Sequence, residues 1–278
     1  MKIYISVDME GFAGNTSWNQ EGKDREIVRN NMIEQVKWLI EGIKQSDLNK
    51  KITQITIADS HANGENLLYS ITEEDDRIFL ISGYPRDKYM MPQLNESYNH
   101  VFLAGYHAGT GVFNGNMDHT YSGSCVRKLE INGVRMSEAL INAIYAVWQK
   151  SAVTLITGDE ILKEELENQN LLKNYEFVSL KRGLGRFSAV NFPKNVIKKQ
   201  TIDAVKKVLS KKFEIKKTTL SKDFTMKVEL TNTTMADFVE LIPCVKRTDG
   251  TNIEYKNADF SKIMDCIMAV TLLAAHGK

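Results

Sequence analysis

Residues 2–11 read KIYISVDMEG, a short β-branched run that ends in two carboxylates, Asp8 and Glu10. A strand fits 2–8, since Ile and Val pack well on a pleated surface. The alternation of elements after this strand decides the fold class. Over 24–45, Val28, Met32, Val36, Leu39, Ile40 and Ile43 recur at steps of three and four, which predicts a helix with one apolar stripe. ITQITIAD (52–59), RIFLISG (77–83), HVFLAGYH (100–107) and VTLITGD (153–159) then read as strands, with a helix from about Ser137 to Lys150 ahead of the last. Strands that alternate with helices imply parallel pairing and an α/β layering. Their near-continuous apolar runs fit strands covered on both faces. The expected architecture is a Rossmann-like α/β domain with a mainly parallel sheet.

Within that half, CVRKLEINGVRM (125–136) holds Asn132-Gly133 between alternating residues, a hairpin signal expected near the rim of the sheet. After about residue 185 the texture changes. Lysine pairs stand at 198/199, 206/207, 211/212 and 216/217, opposite a face carrying Ile197, Ile202, Val205, Val208 and Leu209. A solvated helix face accounts for such a charge run. Strands are predicted at 224–230, 244–248 and 252–256, and a helix over 259–275. A smaller α+β domain over 187–278 is therefore expected after an α/β domain over 1–186.

The 278 residues include 36 basic and 35 acidic side chains, a balance of +1. That gives no support to a nucleic-acid binder working through excess positive charge. The mean hydropathy is -0.31, and no stretch nears 18 uninterrupted apolar residues, so no membrane span is expected. Three dispersed cysteines form no CxxC and predict neither a disulfide framework nor a thiol-rich metal site. Carboxylates at Asp8 and Glu10 stand where an export signal needs an apolar core of about 7–15 residues. A cytoplasmic protein is expected.

Polar groups collect where the strands end. Asp8 and Glu10 come after the first strand, Asp59 and His61 end the second, and His107 ends the HVFLAGYH run. In open α/β sheets ligands bind outside the carboxyl ends of the strands. Each residue has a plainer reading: Asp8 as a turn or cap residue, Glu10 as a surface acid, Asp59-Ser60 as a turn cap, His107 as a hydrogen-bonded core histidine. Their conjunction at one rim favours a joint role, because crowded carboxylates repel unless a cation neutralises them. His119, in the loop NMDHTYSGS, and Glu138, opening the helix MSEALINA, extend the set; an acid at a helix N-terminus is also favourable in itself. Mixed imidazole and carboxylate suits zinc, with manganese or iron as alternatives. Five protein groups exceed the usual three of one catalytic zinc, which points to two ions sharing a carboxylate.

These segments resemble the D-aminopeptidase family of dizinc metallopeptidases, linked to dipeptide-transport operons. The resemblance rests on Ser6-Val7-Asp8-Met9-Glu10-Gly11, Asp59-Ser60-His61, Gly105-Tyr106-His107-Ala108, Met117-Asp118-His119, and Glu138 followed by Ile141-Asn142-Ala143. Echoes continue at Gly158-Asp159 and Arg186-Phe187-Ser188-Ala189. It implies two zinc ions per subunit held by Asp8, Glu10, His61, His107 and Glu138, with Asp8 as the bridge. It implies His119 as catalytic base or nucleophile, short D-amino-acid-containing peptides as substrate, and a homo-oligomeric decameric ring. Asp59 is a candidate to orient a ligand histidine. The rivals are a dinuclear hydrolase of another amide or of an ester, and a non-catalytic metal- or peptide-binding module. Nucleotide binding is disfavoured, since no GxGxxG comes after the first strand.

Overall fold

The computed structural model describes residues 1–213, 221 and 223–278; the lysine pair 216/217 lies outside the described residues. In chain order the elements are β1 (Lys2–Val7), α1 (Trp18–Lys23), α2 (Arg25–Lys44), β2 (Gln54–Asp59), β3 (Ile78–Ile81), β4 (His100–Tyr106), β5 (Val126–Ile131), β6 (Val134–Arg135) and α3 (Glu138–Trp148). They continue with β7 (Val153–Asp159), α4 (Glu160–Gln169), β8 (Glu176–Gly185), β9 (Ser188–Asn191), α5 (Lys194–Val208) and β10 (Phe224–Leu230). Last come α6 (Thr233–Val239), β11 (Lys246–Arg247), β12 (Asn252–Asn257) and α7 (Phe260–Ala275).

Seven strands form one sheet in the order β3-β2-β1-β4-β7-β8-β9. All neighbours are parallel except the edge pair β8/β9. The expected α/β class with a mainly parallel sheet is borne out. Side chains alternate across β1: Ile3, Ile5 and Val7 join a core with Val28, Met32, Val36 and Leu39 of α2 and Val205 and Val208 of α5. Tyr4 faces the other way, into a core shared with Leu103, with Leu140 and Ile144 of α3, and with Met226 and Val228 of β10. Both faces of the central strands are thus covered, as their apolar runs require.

The second sheet is antiparallel, in the order β11-β12-β10-β5-β6. The Asn132-Gly133 hairpin forms as its turn residues dictate, but it does not sit on the rim of the first sheet. It leaves that sheet and pairs with β10, Leu129 opposite Val228. The division expected near residue 186 does not coincide with the division between sheets. β5 and β6 precede it yet belong to the second sheet, whereas β9 and α5 come after it and pack with the first, where α5 buries Val205 and Val208 against α2. The strand expected over 244–248 shrinks to Lys246–Arg247, because Cys244 adopts a φ of 69° and breaks the extended run.

Candidate metal centre

Parallel pairing brings the carboxyl ends of β1, β2 and β4 to one edge of the sheet. Asp8 and Glu10 lie just beyond β1, His61 beyond β2, and His107 beyond β4. The chain stops being extended after Val7, yet both carboxylates stay buried. Gly105 makes the approach possible. Its φ is 74°, and a Cβ there would lie 2.3 Å from the Phe12 ring and 2.8 Å from the Asp8 carbonyl oxygen. Glu138 arrives on the first residue of α3, where the Ser137 hydroxyl accepts a hydrogen bond from Leu140 N–H. His119 comes from the loop between β4 and β5.

The six side chains meet. His61 Nδ1 lies 2.9 Å from Glu10 Oε2 and 3.4 Å from Asp8 Oδ1. His107 Nε2 lies 3.4 Å from Asp8 Oδ2 and 3.8 Å from Glu138 Oε1. His119 Nε2 lies 3.7 Å from Glu10 Oε1 and 3.6 Å from Glu138 Oε1. The His107 and His119 rings stack at 4.3 Å with their planes parallel. Ligand atoms of three triads, Asp8/Glu10/His61, Asp8/His107/Glu138 and Glu10/His107/His119, each lie within 4.8 Å of one another.

The placement of protons shows what this cluster suits. His107 Nδ1–H donates to the Ala108 carbonyl at 2.9 Å, and His119 Nδ1–H donates to the Met117 carbonyl at 2.9 Å. These carbonyls, which accept only, assign the tautomers, and each Nε2 then presents a lone pair to carboxylate oxygens. His61 faces carboxylates from both nitrogens, Nε2 at 2.7 Å from Glu21 Oε1 and Nδ1 at 2.9 Å from Glu10 Oε2, and although burial opposes it these acids raise its pKa well above the ordinary imidazole value. The Nε2 lone pairs of His107 and His119 therefore face carboxylate oxygens. Asp8 Oδ2, Glu10 Oε2 and His107 Nε2 are buried without a hydrogen-bond partner. Such orphans are costly in a dry interior, and a cation between them satisfies all three. The donor set fits a divalent ion of zinc's type.

The electrostatics agree. Burial and the neighbouring Glu10 charge push Asp8 well above the usual carboxylate range, and the same two causes raise Glu138 to about 8. Burial, with His119 beside it, holds His107 down to about 3, so its imidazole stays neutral. The groups open onto a cleft of about 310 Å3 walled by Trp18, Glu21, Tyr89, Tyr121 and Gly123.

A family model described as D-aminopeptidase matches residues 1–269. The chain belongs to the D-aminopeptidase family. It is 25% identical over 279 aligned residues to the D-aminopeptidase of Bacillus subtilis (strain 168), covering 99% of this chain and 98% of that one. A solved structure, the Zn-dependent D-aminopeptidase DppA from Bacillus subtilis, described as a self-compartmentalizing protease, superposes with a TM-score of 0.88 at 25% identity. That match covers 99% of this chain and 98% of that chain.

Three further residues of this D-aminopeptidase family member shape the centre without a sequence signal. Glu21 holds His61 from the opposite ring edge, a carboxylate–histidine pairing that orients metal ligands elsewhere. Trp18 Nε1–H points at Glu10 Oε1 from 3.3 Å, and its ring meets His119 edge-on at 5.3 Å. Lys181, fully buried on β8, donates to the Glu10 carbonyl at 2.5 Å, the Asn15 carbonyl at 2.5 Å and Asn116 Oδ1 at 2.7 Å. It thereby ties the Glu10 loop to the loop that carries His119. Asp59 does not orient a histidine. Its carboxylate accepts from Asn66 N–H at 2.6 Å and Leu67 N–H at 2.7 Å, and so closes the loop after β2.

Proposed function

We propose that the protein is a zinc-dependent aminopeptidase that removes the N-terminal residue of short, D-amino-acid-containing peptides. The observation that carries this reading is the convergence of three imidazoles and three carboxylates into triads of ligand atoms within 4.8 Å, with Asp8 Oδ2, Glu10 Oε2 and His107 Nε2 buried without hydrogen-bond partners. Asp8, Glu10 and His61 would hold one ion, and Asp8, His107 and Glu138 a second. Asp8 suits the bridge because Oδ1 turns to His61 and Oδ2 to His107, each at 3.4 Å. When bound, the ions supply Lewis acidity that activates water and polarises the scissile carbonyl.

The chain's own residues do the rest. Glu21 fixes the His61 ring and Ala108 the His107 ring, so both rings stay oriented toward the carboxylates. His119 forms the cleft wall, its side chain 12% exposed against 1% for His107. With Nδ1–H committed to Met117, its Nε2 is the atom free to take a proton from the nucleophile and return it to the leaving amine. Among the described residues lining the cleft there is no Arg or Lys, which favours an amide over a phosphoester substrate.

The cytoplasm is the proposed location and a ring-forming homo-oligomer, of ten subunits by the family resemblance, the proposed assembly. The self-compartmentalizing Bacillus relative supports assembly, and no helix of the described residues is long and apolar enough to cross a membrane. Chelator-stripped protein, verified metal-free, is assayed on D-Ala peptides with and without zinc. Activity returning only with zinc is expected; full activity without metal rejects the mechanism. His119→Ala is expected to keep its zinc and lose turnover, and unchanged turnover rejects the role of Nε2.

A further inference from the structure

A second cavity of about 190 Å3 adjoins the cleft. The two share Ala62, Tyr89 and Tyr121 as a common wall. Beyond that wall the lining is Asn63, Tyr84, Met268, Thr271 and Leu272, so the charged floor of the cleft gives way to a mainly aromatic and aliphatic surface. Tyr84 packs edge-on against Tyr89 at 6.2 Å, and Tyr89 lies 5.9 Å from Tyr121, making a continuous aromatic wall. Tyr84 is 41% and Leu272 49% exposed, an unusual display of apolar surface at the mouth of a charged site.

The wall is held rigidly. Arg86 donates to the carbonyls of Ser60, Ala62, Gly83 and Tyr89, and stacks on the Tyr89 ring at 4.9 Å. Tyr89 and Tyr121 both adopt left-handed backbone, φ 47° and 60°, a conformation that costs a bulky residue energy. At Tyr121 the same turn aims its N–H at Glu138 Oε1, 2.6 Å away, so one residue serves both the carboxylate cluster and the apolar cavity. The neighbouring cations are occupied: Arg86 by those four carbonyls, and Lys88 by Asp265 and the Ser261 carbonyl. The cavity therefore offers apolar contact without a counter-charge for a peptide carboxylate.

We infer that this cavity is a specificity subsite that receives a bulky apolar side chain, aromatic or branched aliphatic, of a residue flanking the scissile bond. The inference rests on the proposed aminopeptidase activity and narrows its substrate class to peptides larger in side chain than alanine at that position. α7 supplies Met268, Thr271 and Leu272, so the C-terminal part of the chain selects substrate for a centre built by the N-terminal part.

The test uses zinc-loaded full-length protein and two dipeptide-amide series, one varying the N-terminal D-residue and one the residue after it, through Ala, Leu and Phe. The readout is the ratio of kcat/KM for Phe or Leu over Ala within one enzyme preparation, which cancels differences in folding and metal content. At least one series is expected to show a ratio of about 10 or more, the discrimination a hydrophobic pocket gives for added carbon. Leu272→Asp, which charges the mouth, and Leu272→Trp, which fills it, are each expected to bring that ratio to about 1. Equal turnover of all side chains, or a ratio unchanged in both variants, overturns the subsite while leaving the aminopeptidase reading intact. Failure of the zinc-loaded protein to cleave any peptide refutes both together.

Discussion

Replacing Lys181 with methionine keeps the length of the side chain and removes all three donors. The lost bonds run to the Glu10 carbonyl, the Asn15 carbonyl and Asn116 Oδ1, all inside the protein. Hydrogen bonds from a charged group contribute about 1.5–3 kcal/mol each, so the gross loss is about 5–9 kcal/mol. Part of this is offset. Burial holds the lysine down to about 8 from an ordinary value of 10.5, a penalty of about 3 kcal/mol that disappears with the charge. The net destabilisation is then about 2–6 kcal/mol. At about 2–4 °C per kcal/mol for a chain near this size, a central value of about 4 kcal/mol lowers Tm by roughly 8–16 °C. The loss falls where Glu10 and the His119 loop are joined, so zinc affinity, read by competition with a chromophoric chelator, should weaken as well. Thermal melting of Lys181→Met within about 2 °C of the parent, less than the shift expected for 1 kcal/mol, with unchanged zinc affinity, would refute the role of this lysine as the clamp.

Two other perturbations probe the same molecule. Glu21→Ala frees the outer nitrogen of His61 and is expected to weaken zinc binding by about 10–100-fold, the usual cost of losing such a partner; equal affinity by calorimetry would show that Glu21 is incidental. His100, buried beside Thr154, is held down to about 4 by desolvation, against an ordinary value of 6.5. Between these values the unfolded chain binds the proton and the folded chain does not, so stability is complete above about pH 6.5 and lost as pH falls toward 4. His100→Gln should therefore lose about 2 kcal/mol less than the parent between about pH 7 and pH 4.5 in denaturant titrations, and parallel losses would contradict it.

The legible part of the site was the part written along strands. β1, β2 and β4 each show an apolar run that stops at a carboxylate or an imidazole, and parallel pairing then forces those stops to one edge. Glu138 was legible as a helix opener. Glu21 was not, because α1 has six residues and none of them is buried, so no periodicity marks it. Lys181 reads as a solvated residue within a run that also holds Arg182 and two glycines, although its side chain points inward. Gly183 in that run is explained by contact: a Cβ there would lie 2.1 Å from the Asn114 carbonyl oxygen. The hairpin illustrates another limit. Asn132-Gly133 encodes the turn locally, but the partner strand that captures β5 lies far along the chain, and no local pattern names it.

That capture bears on biosynthesis. His119 and Glu138 stand at the two feet of the β5/β6 hairpin, whose outer edge is completed by β10. A lone two-stranded ribbon is marginal in water. Until residues 224–230 have been synthesised, the ribbon lacks the strand that pairs with β5. The pairing that completes the ribbon between His119 and Glu138 is therefore postponed until β10 leaves the ribosome.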